Sequence, residues 1–200
     1  MHEKDSVEIV CILDKSGSMY DLTTATCGGF NEFVQEQKKL PGKAKLSLVL
    51  FDTEMKTIHS GKMLEDVGEL TAEDYCANGM TALMDAMGAT LTSVRNRITK
   101  TLKSKRPSKV VVLIITDGLE NSSVEWNRES IRSLVTDLQD NREWDFVYMG
   151  ANQDSFAESA AYGIGSKYVE NYIPTAGGVR GSWAAASAST TTARGTQVNE

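Results

Sequence analysis

Histidine is almost missing from this chain: 200 residues contain only His2 and His59. That leaves little of the side chain most used as a general base or metal ligand near neutral pH. His2 falls in the terminal segment, and His59 falls near the end of a predicted edge strand, where it reads as a solvated side chain. Cysteine is scarce too. Cys11, Cys27 and Cys76 are odd in number and follow no C-x-x-C spacing, which argues against a disulfide framework and a cysteine zinc site. Cys11, between Val10 and Ile12, reads as a small hydrophobe of a buried strand. No stretch approaches the roughly 18 consecutive apolar residues of a membrane span, and Met1 to Asp5 has no basic-then-apolar leader pattern. A cytoplasmic protein in a reducing compartment, with no membrane partner, is the expectation. The formal net charge of -6 argues against a general nucleic-acid binder.

Several catalytic signatures are also lacking. There is no G-x-x-x-x-G-K-[ST] phosphate loop, Gly163-Ile164-Gly165 lacks the third glycine of a dinucleotide fingerprint, and no serine sits in a G-x-S-x-G elbow. An aspartate ending a first parallel strand suggests a phosphoryl-accepting nucleophile, as in haloacid-dehalogenase phosphatases. That chemistry needs a second Asp two residues on, and Ser16 stands there.

What is present is ordinary globular usage, 40% hydrophobic and 24% charged, in an alternation of strand and helix signals. Apolar runs at 7–13, 46–51, 110–116, 146–149 and 168–173 read as strands, with 54–60 as an antiparallel neighbour of the second across a turn at Asp52-Thr53. Helical spacing runs from Phe30 to Leu40, where Pro41-Gly42 stops it, then over 82–102, 125–141, 155–162 and 183–194. Thr71 to Asp74 has the form of a capping box. Nearly continuous apolar strands separated by helices predict a doubly wound, three-layer α/β/α fold: a Rossmann-like six-stranded sheet, five strands parallel and one antiparallel at an edge. The expectation is a single domain over 1–200 with its core at about 7–195.

Met80, Met84 and Met87 read as core filler, and Trp126, Trp144 and Trp183 as packing residues. Arg95, Arg97, Lys100, Lys103, Lys105, Arg106 and Lys109 form a basic run without an acid. It reads as a complement to the negative end of the preceding helix, or alternatively as a patch for an anionic partner, and the absence of aromatics gives base stacking no support.

Chemistry concentrates where the first strand ends. Asp14, Ser16 and Ser18 carry hard oxygen side chains at i, i+2 and i+4 in a turn made pliable by Gly17. The same residues make ordinary turns, but the spacing also suits a small cation. Gly79-Met80-Thr81 opens the longest helix and Thr116-Asp117-Gly118 closes another strand. In a doubly wound sheet these loops reach one carboxyl-end rim.

These segments resemble the von Willebrand factor A domain, whose metal-ion-dependent adhesion site is built from D-x-S-x-S, a Thr and an Asp. The resemblance spans about residues 7 to 195. Gly28-Gly29-Phe30-Asn31, Gly79 to Ala86 and Gly150 to Asp154 look more like the short stand-alone members of bacteria and their phages than like animal adhesion domains. It implies a non-enzymatic binding module in which Asp14, Ser16, Ser18, Thr81 and Asp117 hold Mg²⁺ or Mn²⁺ and a protein partner offers an Asp or Glu to the ion. Tyr20, Asp21, Asn78, Gly79, Met80, Gly118, Glu120 and Asn121 are expected at the partner-facing rim, with Ser122 flanking. The alternative on the same rim is a metal-dependent phosphate-ester hydrolase or a binder of phosphate ligands.

Overall fold

The computed structural model describes residues 6–151, 154–165 and 169–195. Six strands form one sheet in the order β3-β2-β1-β4-β5-β6: β1 (Ser6–Asp14), β2 (Lys43–Phe51), β3 (Met55–Met63), β4 (Lys109–Thr116), β5 (Trp144–Ala151) and β6 (Val169–Tyr172). Every pairing is parallel except β2 with β3, so the antiparallel strand lies at an edge. The central strand β1 is buried along its whole length, as a strand covered on both faces must be.

Alternation along β1 builds two cores. Ile9, Cys11 and Leu13 face α1 (Thr23–Lys39) and α6 (Ala176–Ala193), where Phe30 and Phe33 close on Trp183. Val10 and Ile12 face α3 (Leu83–Lys100) and α4 (Arg128–Arg142), through Leu91, Val94, Ile131 and Val135. Two shorter α-helices among the described residues are α2 (Ala72–Tyr75) and α5 (Ser155–Ala161). Thr71 and Asp74 form the expected capping box on α2, and Asn127 with Ser130 forms a second on α4.

Some boundaries move for identifiable reasons. Helix α6 begins at Ala176, seven residues before the predicted start at 183, because Thr175 caps it by accepting the Gly178 N–H. Helix α4 starts at Arg128 rather than 125, since Asn127 is the cap. Strand β3 continues to Met63 past Gly61, so half-buried His59 lies mid-strand opposite Leu48 and not near a strand end. The predicted start of the last strand at Tyr168 lies outside the described residues, as do Asn152, Gln153 and His2. Met87 fills the core as expected and Met84 is half-buried, but Met80 is 52% exposed because it precedes α3 in a loop.

The basic run is partly spent on the fold. Arg106 donates to the Thr99 and Thr101 carbonyls at the end of α3, Lys109 pairs with Asp145 at 2.9 Å, and Arg97 turns inward to Glu8. Among the described residues, no helix is long and apolar enough to cross a membrane.

Candidate metal centre

β1 and β4 are adjacent, yet the chain leaves them for opposite directions in the sheet. This is the switch point at which a doubly wound sheet opens a crevice at its carboxyl ends. Asp14 is the last residue of β1, and Asp117 follows the last residue of β4.

The fully buried Asp14 carboxylate accepts the Ser16 N–H at 2.7 Å on one oxygen and the Thr116 hydroxyl at 2.6 Å on the other. The first bond folds the chain back so that the Ser16 and Ser18 hydroxyl oxygens stand 3.2 Å apart. Ser18 in turn donates to an Asp117 carboxylate oxygen at 2.6 Å. Thr81 comes from a different loop and is pinned by a reciprocal pair: its N–H donates to the Asn121 side-chain oxygen at 2.9 Å, and the Asn121 N–H donates to its carbonyl at 3.0 Å. A methyl group built on Gly118 would lie 3.1 Å from the Thr81 hydroxyl oxygen and 3.9 Å from that of Ser18, so these two hydroxyls border the same small space. All five predicted side chains thus meet at one rim.

The donor set fits a hard divalent cation. It offers three hydroxyls and two carboxylates, and among the described residues no three His, Cys, Asp or Glu side chains cluster as a metal-holding group. A site short of carboxylates and rich in neutral oxygens suits Mg²⁺ or Mn²⁺, which keep part of their water shell, better than Zn²⁺ with its preference for nitrogen and sulfur. Burial raises Asp14 to about 6, with a smaller push from the Asp117 charge, and burial raises Asp117 as well. Such carboxylates are costly to keep ionised without a cation.

That shift sets a pH dependence. Only ionised Asp14 attracts a cation, so acidification from about pH 7 to about pH 5 should weaken Mn²⁺ binding about tenfold. In metal-free protein the sign reverses. The folded state holds a proton on Asp14 that the unfolded state has already released between the unfolded value of 3.8 and about 6, so stability should fall as pH rises through that window. Calorimetric Mn²⁺ titrations at the two pH values check the first claim, and chelated melts across the window check the second. A flat affinity would contradict the assignment.

The expected partner-facing residues are distributed unevenly. Tyr20 and Met80 project, 71% and 52% exposed, and Asp21, Asn78, Gly79 and Asn121 are exposed beside them. The Asn78 side chain binds the Gly79 N–H at 2.8 Å. Glu120 is turned into its own loop: its carboxylate accepts the Ser122 and Ser123 N–H groups, the Ser123 hydroxyl and the Met84 N–H, which closes the amino end of α3. Sequence reasoning missed Leu119, which is 53% exposed between Gly118 and Glu120; an apolar residue in an otherwise polar loop was its signal. It also missed fully buried Tyr75, whose hydroxyl donates to the Asp14 carbonyl from beneath. Nothing in a short capped helix announces that contact.

No family model and no curated protein matches the chain. Solved structures do. The von Willebrand factor domain of the type V pili tip protein Mfa5 from Porphyromonas gingivalis superposes with a TM-score of 0.63 at 12% identity, covering 97% of each chain. Manganese-loaded TRAP protein from Plasmodium vivax gives 0.58 at 14% identity, over 92% of this chain and 71% of that one. Proximal thread matrix protein 1 from the mussel byssus, solved with a zinc-occupied MIDAS motif, gives 0.56 at 15% identity over 88% of this chain. The chain spans 46% of that mussel protein. In element order, sheet topology and superposition alike, the chain has the fold of a von Willebrand factor A domain.

Proposed function

We propose that this protein is a non-enzymatic, divalent-metal-dependent binding module. Asp14, Ser16, Ser18, Thr81 and Asp117 would hold Mg²⁺ or Mn²⁺, and the ion would take an Asp or Glu side chain of a protein partner. The observation that carries the reading is the convergence of these five oxygen side chains on one rim, with Asp14 fully buried and bonded to the neutral donors Ser16 and Thr116. Two carboxylates roughly cancel a dication and add no surplus charge to repel a third. Exposed Tyr20, Met80 and Leu119 offer apolar contact area around an acidic group. The metal-occupied state of the Plasmodium and mussel structures supports the choice of a divalent ion. A cytoplasmic setting, in the manner of stand-alone bacterial or phage members, suits the unpaired thiols of Cys11, Cys27 and Cys76.

Affinity capture from native lysate, with and without chelator, tests the proposal. Partners should be lost with chelator, with Asp14→Ala and with Ser16→Glu, which places an extra carboxylate where the partner's oxygen would bind. Circular dichroism should show all three samples folded. Capture indifferent to chelator, or metal-dependent release of phosphate from generic esters, would overturn the binding reading.

A further inference from the structure

The loops that carry the metal residues are joined at a point the D-x-S-x-S pattern does not mark. Lys15, between Asp14 and Ser16, pairs its ammonium with Asp52 at the start of the loop after β2. Both side chains are largely buried, 13% and 10% exposed. Around this pair run main-chain bonds that tie three loops together. The Lys15 N–H donates to the Phe51 carbonyl at 2.7 Å, the Asn78 N–H to the Lys15 carbonyl at 2.8 Å, and the Gly17 N–H to the Gly79 carbonyl at 3.0 Å. On the far side, the Ala82 N–H donates to the Asp52 carbonyl at 2.9 Å and the Met80 N–H to the Thr53 hydroxyl at 2.9 Å. Thr81 sits between those last two anchors. Gly79 closes the junction at φ 75°, and a Cβ there would stand 2.9 Å from the Thr53 hydroxyl, so the loops approach as closely as a glycine permits.

Resting on the metal-site reading above, we infer that Lys15 and Asp52 are positioning residues: their ion pair latches the 15–18, 51–54 and 78–82 loops in one register, so that the hydroxyls of Ser16 and Ser18 and that of Thr81 face the same ion. A partly buried pair flanked by main-chain bonds to both partners is held in place far better than a surface pair. Supporting groups of this kind commonly change metal affinity 10–100-fold when altered.

Charge alone and a latch predict different signs. Lys15→Met removes a cation near the site and by simple electrostatics should tighten Mn²⁺ binding, whereas Asp52→Asn removes an anion and should weaken it. The latch predicts that both weaken Mn²⁺ binding, by about tenfold, that the double variant is no worse than either single one, and that Lys15→Arg restores most of the affinity. Relaxation enhancement by Mn²⁺ provides the affinities. Amide hydrogen exchange in metal-free protein provides the second readout: the Gly17, Met80 and Ala82 N–H groups should exchange faster in Lys15→Met than in wild type while β1 and β4 stay protected. Opposite signs for the two single variants, or exchange at those three amides unchanged, overturns the latch. Wild-type protein that binds no Mn²⁺ would instead overturn the metal-site reading, and the exchange experiment would still decide whether the latch exists.

Discussion

Replacing Arg97 by Met should lower stability by about 3–5 kcal/mol, roughly 10 °C in melting temperature for a chain of this size. Glu8 is fully buried in β1, between apolar neighbours, and its carboxylate is bonded by the Arg97 guanidinium and by the Ser47 hydroxyl at 2.9 Å. Gly61 completes the arrangement by donating its N–H to Ser47 at 2.9 Å at the irregular point of β3. Removing the cation strands a carboxylate in the interior, and that desolvation outweighs the loss of one attraction. The pair as a whole is worth much less than this figure. Replacing both Glu8 and Arg97 by Met should therefore recover most of the stability, because apolar substitutes of similar size are close to neutral. Thermal melts of the single and double variants decide the matter, and a single variant within 1 °C of wild type would show that Glu8 is reached by water.

The second large effect is on metal affinity, where stability and function should separate. Asp14→Asn keeps the size but removes the charge: its one carbonyl oxygen can still accept the Ser16 N–H, while its amide NH2 donates to the Thr116 hydroxyl oxygen, whose own proton has the Gly118 carbonyl at 3.1 Å as acceptor. The Asp14 carboxyl titrates at about 6 because burial disfavours its charge, so at neutral pH the folded, metal-free protein carries an ionised group in a place that resists it. Metal-free Asp14→Asn should melt as high as wild type or higher. Its Mn²⁺ affinity should fall by at least about 100-fold, since even groups behind the ligands change affinity 10–100-fold. Stability given up for a site is a common pattern in proteins. A variant that loses stability and keeps affinity would reverse the argument. Calorimetric titration and a chelated melt measure both halves.

The distinction between what the sequence disclosed and what it hid follows contact range. Asp14, Ser16 and Ser18 are neighbours in one turn, and Thr81 and Asp117 stand at the edges of apolar segments, so strand order brings them to one rim and the resemblance to the adhesion-site pattern picks them out. The strands themselves are legible because Ile9 to Leu13 and Val110 to Ile115 are apolar without interruption, as strands covered on both faces are. Ion pairs left no such trace. Lys15 and Asp52 are 37 residues apart, and Glu8 and Arg97 are 89 apart. Glu8 looks like a polar interruption of a strand, and Arg97 like one more member of a basic run. Only the register of β1 against β2 and the crossing of α3 over that face bring each to its partner. Met80 shows the opposite error: its helical spacing with Met84 and Met87 pointed to the core, although the helix begins three residues later at Leu83.

The central claim is that one divalent ion sits among five named side chains. Crystals grown with Mn²⁺ and measured at the manganese absorption edge test it most directly. The account predicts a single anomalous peak per chain, bordered by the side chains of Asp14, Ser16, Ser18, Thr81 and Asp117, and its disappearance in Asp14→Asn crystals grown in the same way. A peak elsewhere on the molecule, or none at a Mn²⁺ concentration that saturates binding in solution, would contradict it.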